Sequence, residues 1–100
     1  MNKSVVEYEY EAREHGVPRH TAYALSNYIM YGHACGGFLQ AVLTNDLMNA
    51  VHRADEENLA ALKDICTYLY NKVPAGCWGS LENYYDWMRD AGLSARENPI

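Results

Sequence analysis

The chain has 100 residues, of which 49% are hydrophobic, and its net charge at pH 7 is −5 with histidine neutral. This composition describes one small globular domain and excludes a disordered chain, which would be poorer in apolar residues. The acidic balance argues against a duplex nucleic acid as partner, because neutralising phosphates requires a basic surface.

The sequence contains no apolar run that approaches the roughly 20 residues of a membrane span. Residues 1–10 carry acids and tyrosines where a secretion signal would need an apolar stretch. We therefore expect a cytoplasmic protein with no membrane partner. The odd number of cysteines, three, favours free thiols over a disulfide framework.

Residues 1–17 are predicted to form an extended N-terminal arm. Acidic residues alternate with other residues from Val5 to Ala12, and a period of two is typical of a strand. A helix is the alternative, because Glu and Ala favour helices. Gly16 lies near the end of this arm, and a helical domain is expected over residues 18–100.

Apolar residues at intervals of three and four predict about four helices in that domain. Their expected boundaries are Pro18 to Gly32, Phe38 to Ala54, Asp55 to Val73 and Ser80 to Gly92, and residues 94–100 are expected to be a frayed tail. Cys66 lies in the apolar stripe of the third helix and is predicted to be buried. The expected fold class is all-α, a compact domain with an extended arm.

Cysteine and histidine residues offer two kinds of site. His33 and Cys35 lie two residues apart, and Cys77 could approach them in space. Such ligands suit zinc, but the spacing matches no zinc motif, so we expect no metal and no cofactor. A cysteine paired with His20, His33 or His52 could act as a nucleophile. A free thiol in a loop is the simpler interpretation, because no local signature specifies such an enzyme.

The most informative polar cluster lies within the second predicted helix. Asn45 and Asp46 interrupt an apolar segment, and Asn49 and Arg53 follow at helical spacing. Asn and Asp are unfavourable inside a helix, because their side chains compete for backbone hydrogen bonds. Asn58 begins the next helix and is expected to lie close by. These five residues are the predicted ligand-binding site, with Arg53 facing an anion, and a solvated helical face is the alternative.

Aromatic residues are numerous for so small a core, with nine Tyr and two Trp. Tyr and Trp favour interfaces, because each offers a large apolar face and a polar tip. We therefore expect a homo-oligomer, and the rim of the core is the alternative location for these side chains. The predicted interface residues are Tyr8, Tyr10, Tyr84 and Trp87.

Three segments of the sequence form a distinctive pattern. They are GGFLQAVLTNDL at 36–47, ADEEN at 54–58 and PAGCWGS at 74–80, followed by Trp87. Together they resemble a family of small phage- and prophage-encoded helical proteins with the pattern GxFLxAVLxNDL…ADxxN…PxxCWGS…W. The match runs from about Tyr28 to Trp87, so the N-terminal arm lies outside it.

The resemblance implies a phage accessory protein that acts on host machinery. Some small acidic phage proteins inhibit nucleases by mimicking DNA, and others sequester signalling nucleotides of antiviral defence. We expect a non-catalytic binding or inhibitor module whose partner is a host protein or a small nucleotide-like ligand. The alternatives are a small hydrolase using Asp46 or a Cys–His pair, and a structural oligomer such as a virion component. DNA mimicry is weaker, because thirteen acids are offset by eight bases.

Overall fold

The computed structural model describes residues 3–97, with side chains described as far as residue 95. The all-α prediction is confirmed, but the predicted number of about four helices is wrong. The described chain forms eight α-helices and one 3-10 helix: α1 Val5–Glu14, α2 Arg19–Tyr31, α3 Gly37–Leu43, α4 Leu47–Arg53, α5 Glu56–Ala60, α6 Leu62–Lys72, the 3-10 helix Ala75–Cys77, α7 Leu81–Arg89 and α8 Gly92–Glu97. None of these helices has the length and apolar character that crossing a membrane requires.

The extended arm predicted for residues 1–17 is wrong, because most of this segment is the helix α1. The Ser4 side chain accepts a hydrogen bond from the backbone N–H of Glu7, and the Glu7 carboxylate accepts one from the backbone N–H of Ser4. This capping box starts a helix in which Tyr8 and Ala12, four residues apart, are both buried. The burial of these two residues stabilises a helix, although the alternation of acidic residues is typical of a strand. Helix α1 packs against α2.

Two of the predicted helices are broken in the middle. The second is divided into α3 and α4 at Asn45, and Asp46 caps the N-terminus of α4. The third is divided into α5 and α6 at Ala61. Asp55 and Ser80 cap α5 and α7 as predicted. These two breaks, together with α1 and α8, account for the larger number of helices.

Buried aromatic side chains join α2 to the C-terminal part of the core. The Tyr28 hydroxyl donates a hydrogen bond to the backbone carbonyl of Cys77 at 2.7 Å, and its ring stacks on Tyr84 with centroids 5.1 Å apart. The Trp87 indole N–H donates to the backbone carbonyls of Tyr28 and Ile29. Tyr28 and Trp87 therefore pack their apolar rings in the core and satisfy their polar groups with hydrogen bonds, as buried Tyr and Trp side chains usually do.

The C-terminal segment also departs from its prediction. Gly92 begins α8, whereas α7 already ends at Arg89. The frayed tail predicted for residues 94–100 is helical as far as Glu97, and residues 98–100 lie outside the described residues. Cys66, predicted to be buried, is exposed on α6. The C-terminal helix belongs to the fold, since α8 packs against α2.

Gly92 allows the close approach of α8 to α2. Its φ is 67°, and a Cβ here would lie 2.7 Å from the backbone carbonyl oxygens of Ile29 and Met30. We expect Gly92→Ala to lower the free energy of unfolding by at least about 2 kcal/mol, because left-handed strain and a backbone clash add together. Urea unfolding followed by circular dichroism measures this change.

Gly36→Ala is the matched control for this measurement. Gly36 has a φ of −70°, and a Cβ at this position would meet no atom within 4 Å. Its substitution should change the free energy of unfolding by less than about 1 kcal/mol. Equal effects of the two substitutions would contradict the packing of α8 described here.

Candidate functional site

Four of the five predicted ligand-binding residues line one open cavity of about 500 Å³, here called the α3–α4 cavity. They are Asn45, Asp46, Asn49 and Arg53, and the other lining residues are Gly37, Gln40, Ala41, Thr44 and Leu81. The volume lies within the range of small-ligand sites. The structure thus brings together the cluster expected from the sequence, and its binding of a ligand stays a prediction.

The break between α3 and α4 shapes this cavity. Asn45 has a φ of 63°, the left-handed conformation that Gly or Asn commonly adopts after a helix. The backbone N–H of Asp46 donates to the Ala41 carbonyl at 2.8 Å, and that of Asn45 donates to the Val42 carbonyl at 3.1 Å. This is a Schellman ending, and it turns the chain directly into α4. Asn45 therefore follows the end of α3 and Asp46 caps the start of α4, so neither residue lies inside a helix.

Asp46 and Asn49 are tied to each other across the first turn of α4. One carboxylate oxygen of Asp46 accepts from the backbone N–H of Asn49 at 3.4 Å, and the other accepts from the Asn49 side-chain amide at 2.7 Å. Both carboxylate oxygens of Asp46 therefore accept hydrogen bonds that stabilise the first turn of α4. The side-chain carbonyl oxygen of Asn49 takes no part in these bonds and can accept a hydrogen bond from a ligand.

Arg53 supplies a positive charge to the cavity. Its guanidinium lies against Gly37, where a Cβ would be 2.7 Å from Nη1. Within residues 3–95 the guanidinium forms no ion pair and no hydrogen bond. An unpaired guanidinium suits an anionic group, because its planar donors match a phosphate or a carboxylate.

Two side-chain amides beside this charge are also free to bind. Gln40 and Asn45 line the cavity, and neither amide has a hydrogen-bond partner among the side chains described here. An amide both donates and accepts, so it can recognise hydroxyl groups and the polar edges of a heterocyclic ring. The cavity therefore combines the unpaired positive charge of Arg53 and the negative charge of Asp46 with neutral hydrogen-bonding groups.

Asn58, the fifth predicted residue, does not line the α3–α4 cavity. It is buried, its side-chain oxygen accepts a hydrogen bond from the Thr21 hydroxyl at 2.6 Å, and its backbone N–H donates to Asp55 at 2.7 Å. Asn58 thus joins α2 to α5. It lines a second cavity of about 280 Å³, which shares Gly37 and Arg53 with the first.

The second cavity has an acidic rim. The His20 ring lies 3.4 Å from a carboxylate oxygen of Asp55 and 3.5 Å from one of Glu57. His20 and Asp55 both line this cavity. Arg53 lines both cavities, but Asp55 and the nearby Glu57 place two carboxylates at this rim, against the single carboxylate of Asp46 in the α3–α4 cavity. The α3–α4 cavity is therefore the better place for an anion.

Most of the predicted interface residues lie in the core. Tyr8, Tyr84 and Trp87 are buried, whereas Tyr10 is 63% exposed. Of the four, only Tyr10 therefore offers a partner a large surface. Tyr70 is among the most exposed tyrosines. The sequence does not distinguish it from the buried tyrosines, because both kinds occur at helical spacing.

The cysteines are poorly suited to nucleophilic catalysis. Burial raises the pKa of Cys35 from 9.0 to about 12, and a hydrogen bond with Tyr84 offsets only part of this rise. Cys77 is fully buried, and partial burial raises the pKa of Cys66. In residues 3–95 no three His, Cys, Asp or Glu side chains form a group that could hold a metal ion.

Thr21→Val tests the structural role of Asn58. The substitution keeps the shape of the side chain but removes the donor, which leaves the buried oxygen of Asn58 without this bond. We expect the free energy of unfolding to fall by about 1–3 kcal/mol, measured by urea unfolding. Thr67→Val, at an exposed position of α6, is the control and should change it by less than about 0.5 kcal/mol. Equal values for both variants would show that the buried bond contributes nothing.

The raised pKa of Cys35 predicts slow alkylation of the native protein. A thiol whose pKa is about 12 has about a thousandfold less thiolate at pH 7–8 than one whose pKa is 9.0. We expect iodoacetamide to modify Cys35 at least about tenfold more slowly in the native chain than in urea, because the higher nucleophilicity of a thiolate with a raised pKa offsets only part of the loss of thiolate. Timed alkylation followed by peptide mass spectrometry measures both rates. Similar rates would contradict the raised pKa and would support Cys35 as a candidate nucleophile.

Comparison of the chain with known protein families, with curated proteins and with solved structures finds no match. The resemblance to phage-encoded proteins therefore stays a prediction.

Proposed function

We propose that this protein is a non-catalytic binding module that holds a small anionic ligand of the nucleotide class in the α3–α4 cavity. The observation that carries this proposal is the Arg53 guanidinium. It faces a cavity of about 500 Å³ without an ionic partner among the described residues. A phosphate at Arg53 would receive charge-assisted hydrogen bonds, which are about twice as strong as neutral ones.

The remaining cavity wall fits the neutral parts of such a ligand. The amides of Gln40 and Asn45 can bind sugar hydroxyls or the edge of a base, and Leu81 offers an apolar contact. Asp46 places a negative charge on the same wall, which disfavours a second anionic group there. This arrangement favours a ligand with its charge concentrated at one end, next to Arg53.

A binding role is favoured over a hydrolase because the two candidate catalytic residues, Asp46 and Cys35, are poorly suited to catalysis. Both carboxylate oxygens of Asp46 accept hydrogen bonds at the start of α4. Cys35 is protonated near neutral pH because burial raises its pKa. Neither group is ready to act as a base or a nucleophile.

The biological setting of the proposal rests on the sequence pattern. Residues 36–47, 54–58 and 74–80 resemble phage- and prophage-encoded proteins. The protein would act in the host cytoplasm by sequestering a small nucleotide signal of antiviral defence. Inhibition of a host protein is the second candidate, and it is supported by exposed aromatic residues such as Tyr70.

Isothermal titration calorimetry with a panel of nucleotides tests the binding role. The panel contains nucleoside mono- and triphosphates and cyclic nucleotides, with inorganic phosphate as the simplest probe. We expect at least one nucleotide to bind, and Arg53→Gln to weaken it at least about tenfold, because a hydrogen bond to a charged group contributes about 1.5–3 kcal/mol. Arg13→Gln is the matched control, since Arg13 is exposed on α1 and lies outside the cavity.

Gly37→Ala is a second variant that moves Arg53 without removing it. The added methyl group would lie 2.7 Å from Nη1 and 3.2 Å from Cδ of Arg53, so the flexible side chain has to shift. Nucleotide affinity should fall while the circular dichroism spectrum stays that of the native chain. The proposal fails if no nucleotide binds the unmodified chain, or if Arg53→Gln and Arg13→Gln bind equally well.

A further inference from the structure

Arg53 lies where the two cavities meet. Arg53 and Gly37 line both the α3–α4 cavity and the second cavity. Gly37 has no side chain, and the guanidinium of Arg53 occupies the space beside it, where a Cβ would be 2.7 Å from Nη1. The guanidinium is therefore a wall that both cavities share. An anion bound to it has an open cavity on each side.

The helices that carry these residues give the α3–α4 cavity a direction. Arg53 ends α4 and Gly37 begins α3, whereas Asn45 and Asp46 form the turn between the two helices. Helix α4 has 7 residues, so its two ends lie about 10 Å apart along its axis. The α3–α4 cavity thus runs from the carboxylate of Asp46 to the guanidinium of Arg53. The second cavity begins at the Arg53 end, since the shared residues lie there.

The second cavity suits a neutral ring with hydrogen-bond donors. Ala24, Phe38 and Leu39 give it apolar walls, and Asp55 lies at its rim. A carboxylate accepts hydrogen bonds and repels anions, so Asp55 favours an amino or hydroxyl group. The volume of about 280 Å³ is close to the lower limit of about 300 Å³ for sites that hold a whole small ligand. This cavity therefore fits one part of a ligand.

The charges along the two cavities alternate in sign. The carboxylate of Asp46 lies at one end and the guanidinium of Arg53 in the middle, with Asp55 and Glu57 near the other end. His20 lies beside both of these last carboxylates and carries at most one positive charge, so their end of the cavity does not attract an anion. A ligand that matches this order has one negative charge at its centre and a neutral group on each side.

A phosphodiester has this distribution of charge. A phosphomonoester carries a charge of about −1.5 to −2 at pH 7 at one end of the molecule, and it leaves the cavity beyond its phosphate empty. A phosphodiester carries a single charge and has a substituent on either side of it. The amides of the α3–α4 cavity and the walls of the second cavity both suit a base or a sugar.

We propose that the two cavities form one site for two nucleosides joined by a phosphodiester, with the phosphate at Arg53 and one nucleoside in each cavity. This assignment rests on the binding role proposed above and specifies the class of nucleotide that is bound. The carboxylates at both ends exclude further phosphates, so the ligand is a dinucleoside monophosphate and not a longer strand.

Isothermal titration calorimetry with matched phosphodiesters tests this assignment. The dinucleoside monophosphates of adenosine, cytidine, guanosine and uridine are each compared with the methyl ester of the corresponding mononucleotide. The methyl ester has the same single charge, but a methyl group replaces the second nucleoside. We expect at least one dinucleoside monophosphate to bind at least about tenfold more tightly than its methyl ester, because the second nucleoside buries apolar surface against Phe38 and Leu39.

Two blocking variants assign this gain to the second cavity. Ala24→Leu and Gly36→Leu each enlarge a residue that lines it, and a Cβ at Gly36 would meet no atom within 4 Å, so the fold has room for the change. Either variant should lower the affinity for the dinucleoside to that for the methyl ester, and should change the latter by less than about twofold. Ala60→Leu, at an exposed position of α5 outside both cavities, is the control and should keep the full gain.

A hexanucleotide separates a short ligand from a nucleic-acid strand. Its additional phosphates would meet Asp46 or Asp55, so it should bind no more tightly than the dinucleoside. Tighter binding of the hexanucleotide overturns the assignment, as does a dinucleoside that gains nothing over its methyl ester, or a gain that survives both blocking variants. Each of these results leaves the binding role intact if a mononucleotide still binds through Arg53. Failure of every mononucleotide and dinucleoside to bind overturns both.

Discussion

The ending of α3 at Asn45 is the constraint on which the candidate site depends. A left-handed residue followed at once by an N-cap turns the chain without a loop, and Asp46 then fixes the first turn of α4. If the segment were one continuous helix, Gln40 and Arg53 would be separated along a single axis by about 20 Å. The turn instead brings both to one cavity. Local backbone chemistry at two residues thus decides where the functional groups lie.

Sequence reasoning could recognise the polar cluster because its members are conspicuous. Asn45 and Asp46 stood out as residues that a helix interior disfavours, and the structure gives them the positions that their chemistry prefers. The break itself was not predicted, because Leu47 and Val51 continue the apolar spacing of α3 through it. Their exposure shows that periodicity identifies a helical segment but does not say whether its apolar side meets the core.

The errors at the two ends of the chain have different causes. In α1 the capping box of Ser4 and Glu7 was a readable signal, and the alternation of acids with tyrosines concealed it. Glycine is common after a helix, so the sequence predicts that Gly92 ends one, but in the structure Gly92 lets α8 approach the backbone of α2. That contact joins distant parts of the chain, so no local pattern reveals it. The same applies to Asn58, whose partner Thr21 lies on another helix.

The shallow anchoring of α4 has a consequence for how the molecule moves. A short helix whose buried contact is Ala50 loses little apolar burial when it opens, so its amide protons should exchange through local openings well below the global free energy of unfolding. The segment that lines the cavity is then also among the least firmly held. A ligand that contacts Arg53 would restrict this motion. Binding at Arg53 would therefore also protect the amide protons of α4 from exchange.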